Sequence, residues 1–359
     1  MTERDAQALR HECAGAAIRS APVHSFSSPY VVFLGDARDA LAAKTGVACV
    51  QWRRELCVGQ VRLPGCNADT GLPDVTIADA AARGAKTLIL GLVASGGRLE
   101  ASWMNVIQDA LAHGLDVVSG MHDKLADVPE LAAAAAKHRR RLFDIRHSPT
   151  KFATGTGAMR SGKRLLTVGT DCSCGKMFTT LFFERELRAR GVPCSFRATG
   201  QTGILIAGEG VAIDAIVSDF VAGAVEALSP ANAADHWDLI EGQGSLFHPA
   251  FAGVTLSLIH GAQPDVMVLC HEPGRPHVRG LSHAPMPDLR ECIDLNVRVA
   301  KLTNPAARMI GVSVNTVRMD ERAALTEIER IERETGLPAV DPSRHGVARV
   351  VDAMLGAPR

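Results

Sequence analysis

The stretch "RLLTVGTDCSCGKMFTTLFFERELRARG" (residues 164–191) constrains the fold more than any other part of the chain. Apolar residues run from Leu165 to Val168, a glycine turn follows, and Gly175-Lys176 opens a segment that ends at Gly191 with basic residues in its last turn. A buried strand that turns straight into a helix belongs in an α/β sheet. Backbone N–H groups at such a helix start point outward and favour an anion, and Lys176 adds a charged donor. The loop is therefore expected to hold phosphate groups. Gly169, Thr170, Asp171, Cys172, Ser173, Cys174, Gly175, Lys176 and Met177 form the expected cofactor-binding set. Two departures stand out. Gly169 falls one residue too early for G-x-x-x-x-G-K, and Thr170 fills the glycine position. Met177 stands where a phosphoryl-transfer loop carries the Ser or Thr hydroxyl that holds Mg²⁺. Thr179 and Thr180 lie further into the helix and are poor substitutes. A loop without that hydroxyl suits holding a phosphorylated cofactor better than spending ATP.

The rest of the chain repeats the strand–helix alternation. Residues 1–28 lack clear periodicity and read as a variable arm. Residues 29–148 carry the apolar runs "YVVFLG", "TLILGLV", "DVVSG" and "LFDIR". Helical stretches separate them. One places Trp103, Val106, Ile107 and Leu111 at helical spacing before Gly114, and another is the alanine-rich "PELAAAAAKHRRR". Residues 149–163 fall in a Gly-, Ser-, Thr- and Lys-rich stretch and read as a linker. A second series fills 164–359, with strands predicted at 165–168, 193–198, 239–241, 266–270 and 309–314. Its last long helix is predicted to bury Leu325, Ile328 and Ile331. The expected fold is α/β throughout. An N-terminal Rossmann-like parallel-sheet domain precedes a C-terminal P-loop NTPase-like parallel-sheet domain.

Charge bounds the partners. Lys+Arg and Asp+Glu both number 39 in 359 residues, so no global field draws the chain to nucleic acid or to a membrane. Aromatic residues are only 4%, which disfavours stacking on bases. No stretch approaches ~18 unbroken apolar residues, and the polar start "MTERDAQALR" has no signal-peptide pattern. The nine cysteines are odd in number and scattered, and Cys172 and Cys174 match no common zinc spacing. A cytoplasmic protein with reduced cysteines and no metal is expected, acting on small molecules.

The loop "GTD-x-x-x-GK" resembles that of dethiobiotin synthetase and related P-loop enzymes. "LIEGQGSLFHP" (239–249) is similar to their glutamate-bearing segment, which implies that Glu241 lies near the reacting groups. "RATGQTG" (197–203) resembles their K-P-x-x-T-G stretch, with Arg197 in place of lysine. A longer resemblance covers nearly all of the chain after the arm. "GLVASGGRLEASW", "DVVSGMHDKL", "GTDCSCGKM", "FRATGQTGILIAG", "IEGQGSLFHPAFAGV", "QPDVMVLCHEPGR" and "GVSVNT" are similar, in order, to the D-glutamate N-acetyltransferase family. The resemblance implies acetyl transfer from acetyl-CoA to the amine of D-glutamate, and a homo-oligomer, since P-loop proteins of this kind often dimerise. Mg²⁺ and ATP belong only to the alternative reading, an ATP-dependent ligase or kinase-like enzyme. A nucleotide-binding regulatory protein without catalysis is a third.

Acyl transfer to an amine needs a general base and donors for the oxyanion. Glu241, at a predicted strand end, is the first candidate base, with Asp171 and His271 behind it. "HEPGRPHVRG" (271–280) crowds arginines and histidines behind a predicted strand. Arginine binds carboxylates through paired hydrogen bonds, so Arg275 and Arg279 are the expected substrate anchors. Arg197, Gln201, Thr202 and His248 are further substrate-binding candidates. Asn315 is expected to line the same crevice, and Arg98 and His122 to face it from the first domain. An S-acetyl intermediate on Cys172 or Cys174 is a minor alternative.

Overall fold

Each short apolar run is separated from the next by helical sequence, and strands joined that way run parallel. The computed structural model describes residues 25–40, 42–92, 99–148 and 150–356. In its first half, β1 (Tyr30–Gly35), α1 (Lys44–Arg53), β2 (Cys57–Arg62), α2 (Ile77–Ala82), β3 (Thr87–Leu90), α3 (Met104–Ala112), β4 (Asp116–Ser119), α4 (Pro129–His138) and β5 (Leu142–Asp144) follow in turn. The strands form one parallel sheet in the order β2-β1-β3-β4-β5. Trp103, Ile107 and Leu111 are buried against it. β2 was not legible in the sequence: it contains Gly59 and Gln60 and ends on an exposed Arg62, so it lacks a continuous apolar run.

The second half holds β6 (Lys163–Gly169), α5 (Lys176–Ala189), β7 (Cys194–Arg197), α6 (Gln201–Ala207), α7 (Ser218–Leu228), β8 (Trp237–Ile240) and α8 (Ala252–Ala262). It continues through β9 (Val266–His271), α9 (Leu289–Ala300), β10 (Arg308–Val314), α10 (Glu321–Thr335), β11 (Ala339–Val340), α11 (Pro342–His345) and α12 (Ala348–Leu355). Its sheet is parallel, in the order β11-β10-β9-β6-β8-β7. The chain leaves β6 towards β7 and β8 on one side, then crosses to β9 on the other. The carboxyl end of β6 therefore lies at the switch in strand order, where open α/β sheets form their crevice. Asp320 caps α10 by accepting from Ala323 N at 2.8 Å, and Gly336 ends it at φ +69°. The buried face of that helix is Ala324, Ile328 and Ile331, while Leu325 is exposed. The expectation for Leu325 fails on geometry, because it lies about 120° around the helix from Ile331 and about 100° from Ala324.

Residues 150–162 form neither helix nor strand, but they are tied down. The N–H groups of Thr156 and Gly157 donate to the buried Glu226 carboxylate on α7 at 2.8–3.0 Å. Gln263 Nε2 donates to the Gly157 carbonyl at 2.8 Å.

The two sheets meet through side chains from both halves. Ile89, Val118 and Ile145 pack with Leu181, Ile204 and Leu205 in one buried cluster. Trp52 stands edge-on to Phe182 with ring centres 4.9 Å apart, and Arg53 pairs with the buried Glu184 at 2.8 Å. Met177 packs against the same cluster. The residue that departs from the phosphoryl-transfer pattern thus packs on the cluster that joins the domains. Among the described residues no helix is long and apolar enough to cross a membrane, and the eight cysteines are free thiols.

Candidate active site

Three segments leave the carboxyl ends of adjacent strands: the loop after β6, Glu241 after β8, and His271–Arg279 at the end of β9 and beyond. The loop reaches α5 through Gly175 at φ +107°, a conformation that glycine adopts without strain. Lys176 is 7% exposed, and its Nζ donates to the Asp171 carbonyl at 2.7 Å. Thr170 is fixed by its N–H to the Cys270 carbonyl at 3.1 Å and by Ser245 Oγ donating to its own carbonyl at 3.1 Å. Among the described residues, the N–H groups of Ser173, Cys174 and Gly175 donate to no protein acceptor. Those donors and the Lys176 ammonium suit a phosphate. The hydroxyl of Thr179 meets Ser313 Oγ at 2.7 Å, and that of Thr180 donates to the Lys176 carbonyl at 2.9 Å. Both hydroxyls are engaged within the protein, so neither replaces the hydroxyl that Met177 lacks. Beside the loop lies a pocket of about 80 Å³, lined among others by Gly175, Phe178, Phe182 and Asn315.

Glu241 lies one residue past β8 and is 4% exposed. Its carboxylate accepts from Thr199 N at 3.0 Å, Gly200 N at 3.1 Å and Gln243 Nε2 at 3.2 Å, so it sits against the first turn of α6. Burial pushes its pKa up to about 7, against those hydrogen bonds and the Lys176 charge. A carboxylate poised near neutrality is suited to take a proton from an ammonium. Gly242 next to it is also determined by space: a Cβ there would lie 1.7 Å from the Thr167 carbonyl oxygen.

The other two candidate bases are less available. Asp171 is fully buried, and its carboxylate accepts from Cys172 N at 2.6 Å, Arg275 Nη1 at 2.8 Å and Arg279 N at 2.9 Å. That carboxylate holds the loop. His271 Nδ1 lies 3.1 Å from Thr170 Oγ1, and burial pushes its pKa down to about 4, which makes it a weak base. Burial also raises the Cys172 thiol, so thiolate is scarce at neutral pH despite Lys176 nearby. Asp171, Cys172 and His248 each bring one potential metal ligand atom within 4.8 Å of the others. They fit a cation poorly. The Asp171 oxygens are already engaged, Arg275 adds positive charge, and His248 Nδ1 accepts from Ala250 N at 3.2 Å.

The structure separates the expected substrate anchors. The Arg275 guanidinium is bound to the loop, whereas the Arg279 side chain is exposed and has no partner among the described residues. His248 is buried beneath it, with Nε2 3.4 Å from the Arg279 carbonyl. Arg197 turns away and pairs with the buried Asp238 at 2.8 Å. Gln201 accepts from Arg146, and Thr202 Oγ1 lies 3.4 Å from Thr45 Oγ1, so both join the domains. Asn315 lines the pocket beside the loop. His122 is exposed, its carbonyl 3.0 Å from His147 Nε2, and Arg98 lies outside the described residues.

Residues 61–148 match the model of a Rossmann-like domain of unknown function, DUF1611_N. Residues 151–351 match its companion P-loop domain, DUF1611. The chain belongs to the DUF1611 family. A DUF1611-family protein from Anabaena variabilis shares the fold with a TM-score of 0.79, at 32% identity over 92% of this chain and 100% of that one. Two curated relatives are named D-glutamate N-acetyltransferase. The one from a Pseudoalteromonas species is 50% identical over 323 residues, 90% of this chain and 97% of the relative. The one from Tritonibacter scottomollicae is 49% identical over 327 residues, 91% and 98% respectively.

Several residues that build this DUF1611 site were not singled out from sequence. Thr199, Gly200 and Gln243 hold Glu241, Ser245 holds Thr170, and the buried Glu272 holds Arg275. Gly203 is the most telling. A Cβ there would lie 2.2 Å from Glu241 Oε2. The glycine of "TGQTG" thus makes room for the carboxylate. Gly203→Ala is expected to displace Glu241 by a fraction of an ångström or more and to lower kcat by roughly 10- to 100-fold, since small misplacements of reacting groups carry losses of that order. Steady-state kinetics on the folded variant, beside its melting temperature, check this.

Proposed function

We propose that this chain is an enzyme that transfers acetyl from acetyl-CoA to the amino group of D-glutamate. The observation that carries the reading is Glu241: a buried carboxylate near the phosphate-loop lysine, with its pKa pushed up to about 7. The family membership and the two relatives named D-glutamate N-acetyltransferase support it. In this reading Glu241 takes a proton from the substrate ammonium. The freed amine attacks the thioester carbonyl. The tetrahedral adduct then collapses, and CoA leaves as a thiol after receiving a proton. Direct transfer is preferred to an S-acetyl enzyme because the Cys172 thiol is held protonated. Lys176 and the unpaired N–H groups of Ser173, Cys174 and Gly175 hold the phosphates of the donor. The adjoining pocket lined by Phe178, Phe182 and Asn315 would take a further part of the donor. Arg279, with its guanidinium open to solvent, is the proposed carboxylate anchor for D-glutamate.

The test is product formation. Purified protein incubated with acetyl-CoA and D-glutamate should release free CoA thiol and N-acetyl-D-glutamate, in equal amounts, and react more slowly with L-glutamate. No thiol release with any amino acid, alongside phosphate release from Mg-ATP, would replace this reading with the ligase alternative.

A further inference from the structure

The segment after β9 folds back over the phosphate loop, and one side chain makes most of that contact. Arg275 Nη1 donates to Asp171 Oδ2 and to the Cys172 carbonyl, both at 2.8 Å. Its Nη2 donates to the Ser173 carbonyl at 2.9 Å and to the Glu272 carboxylate. A single guanidinium therefore ties three consecutive loop residues. Glu272 is 5% exposed and holds Arg275 from behind. The main-chain N–H of Arg279 adds a second tie to Asp171 Oδ2 at 2.9 Å.

The peptide bond turns those ties into a direction. It is planar and trans, so the carbonyl of one residue and the N–H of the next point opposite ways. Drawing the Cys172 and Ser173 carbonyls onto Arg275 therefore aims the N–H groups of Ser173 and Cys174 away from it. Those N–H groups are among the loop donors without a protein acceptor. Ser173 also stands at φ +53°, a left-handed conformation unfavourable for a residue with a side chain. The bond from Arg275 to its carbonyl helps to hold it there.

We propose that Arg275 is a positioning residue for the phosphate loop, not an anchor for the substrate carboxylates. It sets the peptide planes of residues 172–174, so that the loop's N–H groups are aimed before the donor arrives. The tie itself stands on the geometry alone. Its consequence for the donor rests on the reading that the loop holds the phosphates of acetyl-CoA.

The experiment compares wild type, Arg275→Ala and Arg275→Lys with two readouts. Hydrogen exchange in the free protein, followed in peptides covering 170–176 and 276–281, reports the N–H groups of Cys172 and Arg279 that donate to Asp171. Exchange there should speed up about tenfold or more in Arg275→Ala and less in Arg275→Lys. In steady-state kinetics, KM for acetyl-CoA should rise roughly 10- to 100-fold in Arg275→Ala, the scale of lost hydrogen bonds from a charged group. KM for D-glutamate and kcat should stay within a few-fold. Guanidinium ion added to Arg275→Ala should lower KM for acetyl-CoA again. Unchanged exchange in both variants, or a rise confined to KM for D-glutamate, overturns the proposal. Faster exchange with an unmoved KM for acetyl-CoA leaves the tie standing and overturns instead the reading of what the loop binds.

Discussion

Glu241→Gln is expected to lower kcat by about 10²–10⁴-fold while leaving acetyl-CoA binding within a few-fold. Glutamine keeps the shape of the side chain and can still accept from Thr199 N and Gly200 N, but it cannot take a proton from the substrate. The pH profile gives a second check. Glu241 acts as a base only when ionised, and burial holds its pKa near 7. Wild-type kcat should therefore rise about tenfold per pH unit below that value and level off above it. The Gln variant should lose that limb. Stability runs the other way. A carboxyl group whose folded pKa is raised favours the fold most below its unfolded value, and that contribution fades as pH rises through about 7. At pH 8 the Gln variant no longer carries a buried charge, so its melting temperature should equal or exceed that of wild type. A variant that keeps kcat and the low-pH limb would move the base elsewhere.

Lys176→Ala is expected to weaken acetyl-CoA binding by roughly 10- to 100-fold, the range for a charged hydrogen bond. The side chain is buried against the Asp171 carbonyl, so part of the effect is a less ordered loop. Thermal shift with acetyl-CoA reads it directly, since a ligand at 100 times its Kd adds about 2.7 kcal/mol. The same assay with Mg-ATP should show little shift in wild type. Acetyl transfer should survive excess EDTA, because Thr179 and Thr180 are bonded within the protein and Met177 offers no metal ligand. Loss of transfer on chelation, restored by Mg²⁺ together with ATP turnover, would reverse the assignment of this loop from holding phosphate to spending it.

Much of the fold is legible in the sequence because its signals are local. A short apolar run such as Leu165–Val168, closed by a glycine turn and followed at once by the helix begun by Gly175-Lys176, reads as a buried strand with that helix packed on its sheet. The same logic reads β1, β3, β4, β9 and β10. It fails at β2 and at the two-residue β11, which pair at the sheet edges with little apolar sequence of their own. Leu325 shows the limit for helices: apolar character is in the sequence, but which side faces the core depends on the packing.

The sequence by itself determined the two α/β domains, the phosphate loop with its missing hydroxyl, and a short set of polar residues at strand ends. Only the tertiary structure decided which of those residues meet. Arg275 and Arg279 are four apart in one loop and look equivalent, yet one is spent on carbonyls from a loop about a hundred residues earlier, and the other is open. Arg197, Gln201 and Thr202 lie in the motif beside Glu241, yet they bind Asp238, Arg146 and Thr45. Side-chain chemistry is carried by the residue itself, but availability is not. It depends on whether a neighbour distant in sequence already satisfies the group, and a buried polar group left unsatisfied is costly enough that such neighbours are almost always found.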